Sequence, residues 1–144
     1  MIYDAGKGKQ NPFIISYSTS ANTLNDANRI YYFAGQGAGY SSSASDRALE
    51  VLQPCIIKRA VYAIQQSTAG VQATNISGYV VNTTQNLSGL IFTSTGSLAD
   101  NNFYEQSNTN LNIPCNQGDN IVCAISNTSP SVTNLRSIVY LYCY

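Results

Sequence analysis

Asn110-Leu111-Asn112-Ile113-Pro114-Cys115-Asn116-Gln117-Gly118-Asp119-Asn120-Ile121-Val122-Cys123-Ala124-Ile125 decides the fold class. Apolar residues alternate at Leu111, Ile113 and Cys115 and again at Ile121, Cys123 and Ile125, the period of two that puts one face of a strand into a core. Four residues that favour turns, Asn116 to Asp119, separate the two runs. A link this short joins antiparallel neighbours, because parallel strands need a crossover of a dozen residues or more.

The same grammar extends outward. Apolar, β-branched and aromatic runs occur at Cys55 to Gln65, Ile76 to Asn82, Leu87 to Thr93, Asn102 to Glu105 and Arg136 to Tyr144, divided by clusters of Ser, Thr, Asn and Gly. Before Pro54, strands are expected at Phe13 to Tyr17 and Arg29 to Phe33. The single short helix expected is Asp46 to Gln53, capped by Ser45 or Asp46 and stopped by Pro54. The fold class is therefore all-β, an antiparallel sandwich of jelly-roll type over residues 54–144, preceded by an N-terminal arm or extension over 1–53. The division rests on the irregular, Gly-punctuated character of Met1 to Asn11 and of Gly35 to Gly39.

Charge and composition exclude several functions. Only 10% of residues are charged, against roughly 25% in ordinary domains, and seven basic residues balance seven acidic ones. Such a surface generates no field to draw in nucleic acid or an anionic membrane, and it does little to keep copies of the chain apart. Lys58-Arg59 reads as a strand edge kept soluble by charge. No apolar stretch is long enough to span a membrane as a helix, and no secretion signal is evident, so synthesis in a host cytoplasm is expected.

No histidine is present, which removes Ser-His-Asp and Cys-His catalysis. Asp4, Asp26, Asp46, Glu50, Asp100, Glu105 and Asp119 are scattered along the chain, and Asp100 with Glu105, the pair considered for acid–base chemistry, reads as two loop charges. The reading is therefore no catalytic residues, no cofactor and no metal. Cys55, Cys115, Cys123 and Cys143 lack CxxC spacing, so zinc would need all four thiolates. Each lies in or beside an apolar run, where a reduced Cys packs as a small hydrophobe. Asp100-Asn101-Asn102 lacks the pattern of a calcium loop. The sequons at Asn75, Asn82, Asn86 and Asn127 are expected by chance in a chain so rich in Asn, Ser and Thr.

The last strand shows two faces. Val139, Leu141 and Cys143 point one way; Ile138, Tyr140, Tyr142 and Tyr144 point the other. A row of tyrosines on an outer face is an expected interface, because the ring buries much area while the hydroxyl stays satisfied.

The 110–125 segment, with its strand ending in a Gly-Asp turn that leads straight into the next strand, resembles a pattern in small jelly-roll domains. It is found in phage head-decoration, cement and fibre proteins and, more distantly, in tumour-necrosis-factor/C1q-like domains. Pro54 to Ile64 resembles the opening strand of that group, Tyr79-Val80-Val81-Asn82 a strand ending in an Asn-containing turn, and Arg136 to Tyr142 the closing strand. The resemblance implies that Gly118 takes a positive φ and that the Asp119 carboxylate accepts backbone N–H bonds. It also implies that the strands holding Cys55 and Cys143 are neighbours, with a bridge between these two cysteines open to test and reduced thiols favoured.

The function implied is a virion structural protein, a capsid decoration, cement or head-fibre protein. It would act as a homo-oligomer, a trimer, on the capsid surface, with the major capsid protein or another virion protein as partner. The N-terminal segment would anchor it or swap between subunits. The alternative is a carbohydrate-binding or receptor-binding lectin-like module with Tyr40, Asn101, Asn102 and Tyr104 around a glycan.

Overall fold

A computed structural model describes residues 12–24, 29–33, 39–68, 73, 75–94, 96–128 and 132–144. Met1 to Asn11 and all but the last residue of the Gly35 to Gly39 run lie outside them. The chain forms β1 (Phe13–Ser18), β2 (Asn22–Leu24), β3 (Arg29–Phe33), β4 (Leu49–Glu50), β5 (Cys55–Gln66), β6 (Ile76–Asn82), β7 (Leu87–Ser94), β8 (Phe103–Asn108), β9 (Ile113–Cys115), β10 (Asn120–Asn127) and β11 (Val132–Cys143). One sheet runs β1-β11-β5-β8, with β2 on β11 and β9 on β5. The other runs β3-β10-β6-β7, with β4 on β10.

The eight strands of five residues or more, taken in chain order, make sheets of first-eighth-third-sixth and second-seventh-fourth-fifth. That is the jelly-roll order of two interleaved Greek keys. Two of the eight, β1 and β3, precede Pro54, so a cut between residues 53 and 54 does not separate the sheets. The opening strand is β1, and Pro54 to Ile64 holds the third strand rather than the first. Its pairing with the closing strand is as the resemblance implies: β5 and β11 run antiparallel from Leu135↔Gln66 to Tyr142↔Arg59.

The helix expected over Asp46 to Gln53 does not form. A single 3-10 turn, Ala44–Asp46, has no side-chain cap at Ser43, and the following residues become β4. Glu50 pairs with Asn120 and Leu49 with Ile121, while Val51 N–H donates to Asp119 O at 2.7 Å and Gly118 N–H donates to Val51 O at 2.8 Å. An eight-residue helix is marginal alone, and the edge of β10 offers this segment long-range ladder bonds instead.

The inner faces bury the alternating residues. Leu111, Ile113 and Cys115, Ile121, Cys123 and Ile125, and Val139, Leu141 and Cys143 all belong to the core. Its centre is Tyr62 of β5, fully buried between the sheets. Its ring meets Phe33 edge-on at 6.0 Å and Phe92 at 6.0 Å, and its hydroxyl donates to Ala124 O at 3.2 Å. Gly78 on β6 lies directly under the ring: a Cβ there would sit 2.6 Å from Tyr62 Cε2. The absence of a side chain at Gly78 is what lets the tyrosine fill the interior.

Candidate interaction surface

Alternation on β11 turns Ile138, Tyr140 and Tyr142 away from the core, followed by Tyr144 beyond the strand end. Tyr140 is 43% exposed and the other three are half-buried. β11 is an inner strand of its sheet, so both of its neighbours extend this face. Register sets Ile14 of β1 opposite Tyr142 and Ser16 opposite Tyr140; on β5, Arg59 lies opposite Tyr142 and Val61 opposite Tyr140. One strand further out, Phe103 of β8 lies opposite Gln65. Ile14 and Phe103 are 55% and 50% exposed, which spreads exposed apolar and aromatic side chains, set among polar ones, across the four strands.

Cations lie on its rings. Arg59 Cζ is 4.6 Å from the Tyr142 ring centroid, Lys58 Nζ 5.7 Å from that of Tyr144 and Arg136 Cζ 5.9 Å from that of Phe103. Cation–π attraction at exposed positions is worth about 0.5–1 kcal/mol each, and it limits the rotamers open to ring and guanidinium alike. Less side-chain entropy is then lost when a partner covers them. Lys58 and Arg59 are not on a strand edge, because β5 runs between β11 and β8. They are part of this face. The sequence pointed to the tyrosine row; Ile14, Phe103 and the three cations join it only through pairings that span most of the chain.

The Gly-Asp turn is a separate, structural device. Gly118 has φ +91°. Asp119 Oδ2 accepts from Asn116 N–H at 2.8 Å, Asn82 Nδ2 at 2.9 Å and Gln85 Nε2 at 2.5 Å. Asn82 Oδ1 in turn accepts from Gln85 N–H at 3.0 Å. The carboxylate thus ties the β6–β7 turn to the β9–β10 turn, and these donors, Asn82 foremost, hold its carboxyl below the usual carboxylate range.

The four residues considered for a glycan separate. Tyr40 turns inward: it meets Phe33 edge-on at 5.6 Å, and its hydroxyl shares a 2.8 Å hydrogen bond with Ser137 Oγ. Asn101 and Asn102 stay together in an exposed turn, Asn101 at φ +66°. The Tyr104 hydroxyl is engaged by Asp100 of that turn, which holds the Asp100 carboxyl below its ordinary range.

The cysteines are free thiols, all buried. Cys55 is directly opposite Cys115, and Cys143 pairs with Ile57, so Cys55 has a cysteine on each flanking strand. Burial pushes the Cys115 thiol up to about 12 and raises Cys123 and Cys143 as well, which leaves them protonated and poorly nucleophilic. Among the described residues, no group of three or more Cys, Asp or Glu side chains is arranged to hold a metal ion.

No protein-family model matches the chain, and no curated protein matches it. Its fold is similar to that of PRD1 vertex protein P5. The TM-score is 0.56 at 17% identity, over 90% of this chain and 71% of that one. At that identity the likeness is one of fold, shared by a jelly roll and a vertex protein, and the chemistry of the surface has to be argued from this chain's own residues.

Proposed function

We propose that the chain is a non-enzymatic structural protein of a phage-like virion, a capsid decoration, cement or head-fibre protein that assembles as a homotrimer and binds the capsid surface. The observation that carries this reading is the cation-braced aromatic face around Tyr140 and Tyr142 on a jelly roll that shares its fold with a vertex protein. Tyrosine and arginine are the residues that dominate protein–protein contacts, and a closed ring uses one such surface in every copy. The major capsid protein or another virion protein is the second partner. Buried thiols and carboxylates engaged by Asn82, Gln85 and Tyr104 support the non-enzymatic part.

The test is the mass in solution together with sedimentation on purified capsids. The expected result is three times the chain mass and co-sedimentation. Tyr140→Ser with Tyr142→Ser is expected to lower both while leaving the circular dichroism spectrum unchanged. A monomer that stays in the supernatant overturns the proposal, and specific glycan binding without capsid association replaces it with the lectin-like alternative.

A further inference from the structure

Three of the four buried cysteines meet on the inner face of one sheet. Cys55 opens β5 and Cys115 closes β9, and the register sets the two directly opposite each other. Directly opposed residues of an antiparallel pair have Cα atoms about 4.5 or 5.5 Å apart, and a disulfide needs roughly 4.4–6.8 Å. Cys143 approaches from β11 on the other flank, but its partner is Ile57, so it stands two residues off the Cys55 position. Diagonal neighbours of that kind are about 7–8 Å apart, too far to bridge without moving the backbone. Burial first, and then the adjoining Cys55 thiol, raises both Cys115 and Cys143, which places both sulfurs beside that of Cys55. Cys123 lies on β10, in the opposite sheet.

We propose that Cys55 and Cys115 are an oxidative modification site, which a peroxide closes to a cross-strand disulfide. Cys55 is the least buried of the four cysteines, 7% exposed against 2% for Cys115 and 0% for Cys123 and Cys143, and the three residues before it are exposed. A peroxide molecule is little larger than water, so Cys55 is where it reacts. The Cys55 sulfur attacks one peroxide oxygen, the O–O bond breaks, and the departing hydroxide leaves as water with the thiol proton. The product is a sulfenic acid on Cys55. The Cys115 sulfur then attacks the sulfenic sulfur, the S–O bond breaks, and the hydroxide takes the Cys115 proton as a second water. Two thiols have lost two electrons and two protons, and the peroxide has gained them. Proximity makes up for the low nucleophilicity of the buried Cys115 thiol. The bridge would act where the fold is least secured: β9 is three residues long, its ladder is to β5 alone, and Pro114 at its centre has no N–H to give. It also closes a loop of about sixty residues, which restricts the unfolded chain. The site is independent of the trimer reading, since it uses neither Tyr140 nor Tyr142.

The experiment treats the reduced, folded full chain with hydrogen peroxide, unfolds it in urea with iodoacetamide, and digests it without reductant. Trypsin and Asp-N together place the four cysteines in separate peptides. The expected product is a monomer lighter by two hydrogens before alkylation, with Cys55 linked to Cys115 and with Cys123 and Cys143 alkylated. Its Tm is expected to rise by about 5–10 °C and to return on reduction. Cys143→Ala is expected to keep both the link and the rise, and Cys115→Ala to lose both. A link from Cys55 to Cys143, a link between chains, or four alkylated cysteines after treatment overturns the proposal, as does a bridged chain whose Tm is unchanged or lower.

Discussion

Replacing Gly78 by Ala puts a methyl group 2.6, 2.7 and 2.9 Å from Cε2, Cζ and Cδ2 of Tyr62, where carbon atoms prefer roughly 3.5–4.0 Å. The ring has little room to retreat, because Phe33 and Phe92 pack on it and the Ala124 carbonyl holds its hydroxyl. Overpacking of this kind costs about 1–3 kcal/mol. The loss of backbone freedom in the unfolded chain returns up to about 1 kcal/mol, because Gly78 does not have a positive φ. Net destabilisation of about 1–2 kcal/mol corresponds to a fall in Tm of about 3–8 °C for a chain of this length. The decisive variant is Tyr62→Leu, which removes the ring that the methyl strikes. Alone it costs about 2–5 kcal/mol for the cavity and the lost ring contacts. In that background Gly78→Ala should be neutral or stabilising, a coupling of about 1–3 kcal/mol. Urea denaturation of the four proteins at one concentration measures it. Costs that add to within about 0.5 kcal/mol would show that Gly78 and Tyr62 do not depend on each other, and the account of the core given above would be wrong.

Asp119 predicts an acid limb. Its carboxyl titrates lower in the folded protein than in the unfolded chain, so its contribution is full above about pH 4 and is lost as pH falls through the folded value. Asp119→Asn should flatten the decline of Tm below pH 4 relative to the parent, and an unchanged acid limb would refute the role given to Asn82, Gln85 and Asn116. Because all four thiols are buried, iodoacetamide at pH 8 should add nothing to the folded chain and four adducts after unfolding in urea, read by intact mass. Leu141→Ala, fully buried on the inner face of β11, should cost about 2–5 kcal/mol in urea, whereas Tyr140→Ser on the opposite face of the same strand should change stability by less than about 1 kcal/mol.

What the amino-acid pattern determined by itself was local: the strand runs, the turns between them and the inward and outward faces of β10 and β11. These follow from a period of two and from turn chemistry, and both are written in neighbouring residues. Tertiary structure decided the rest. Residues 49–50 have helix-compatible neighbours, yet they pair with β10 because Asn120 and Ile121, seventy positions away, offer a ladder edge. Phe13 to Ser18 reads as a strand in either setting; that it opens the jelly roll rather than belonging to an arm depends on its pairing with β11 at the other end of the chain. The tyrosine row was legible because it lies on one strand. Its cations, Ile14 and Phe103 were not, because a surface spread over four strands is assembled by register between segments that no local pattern connects.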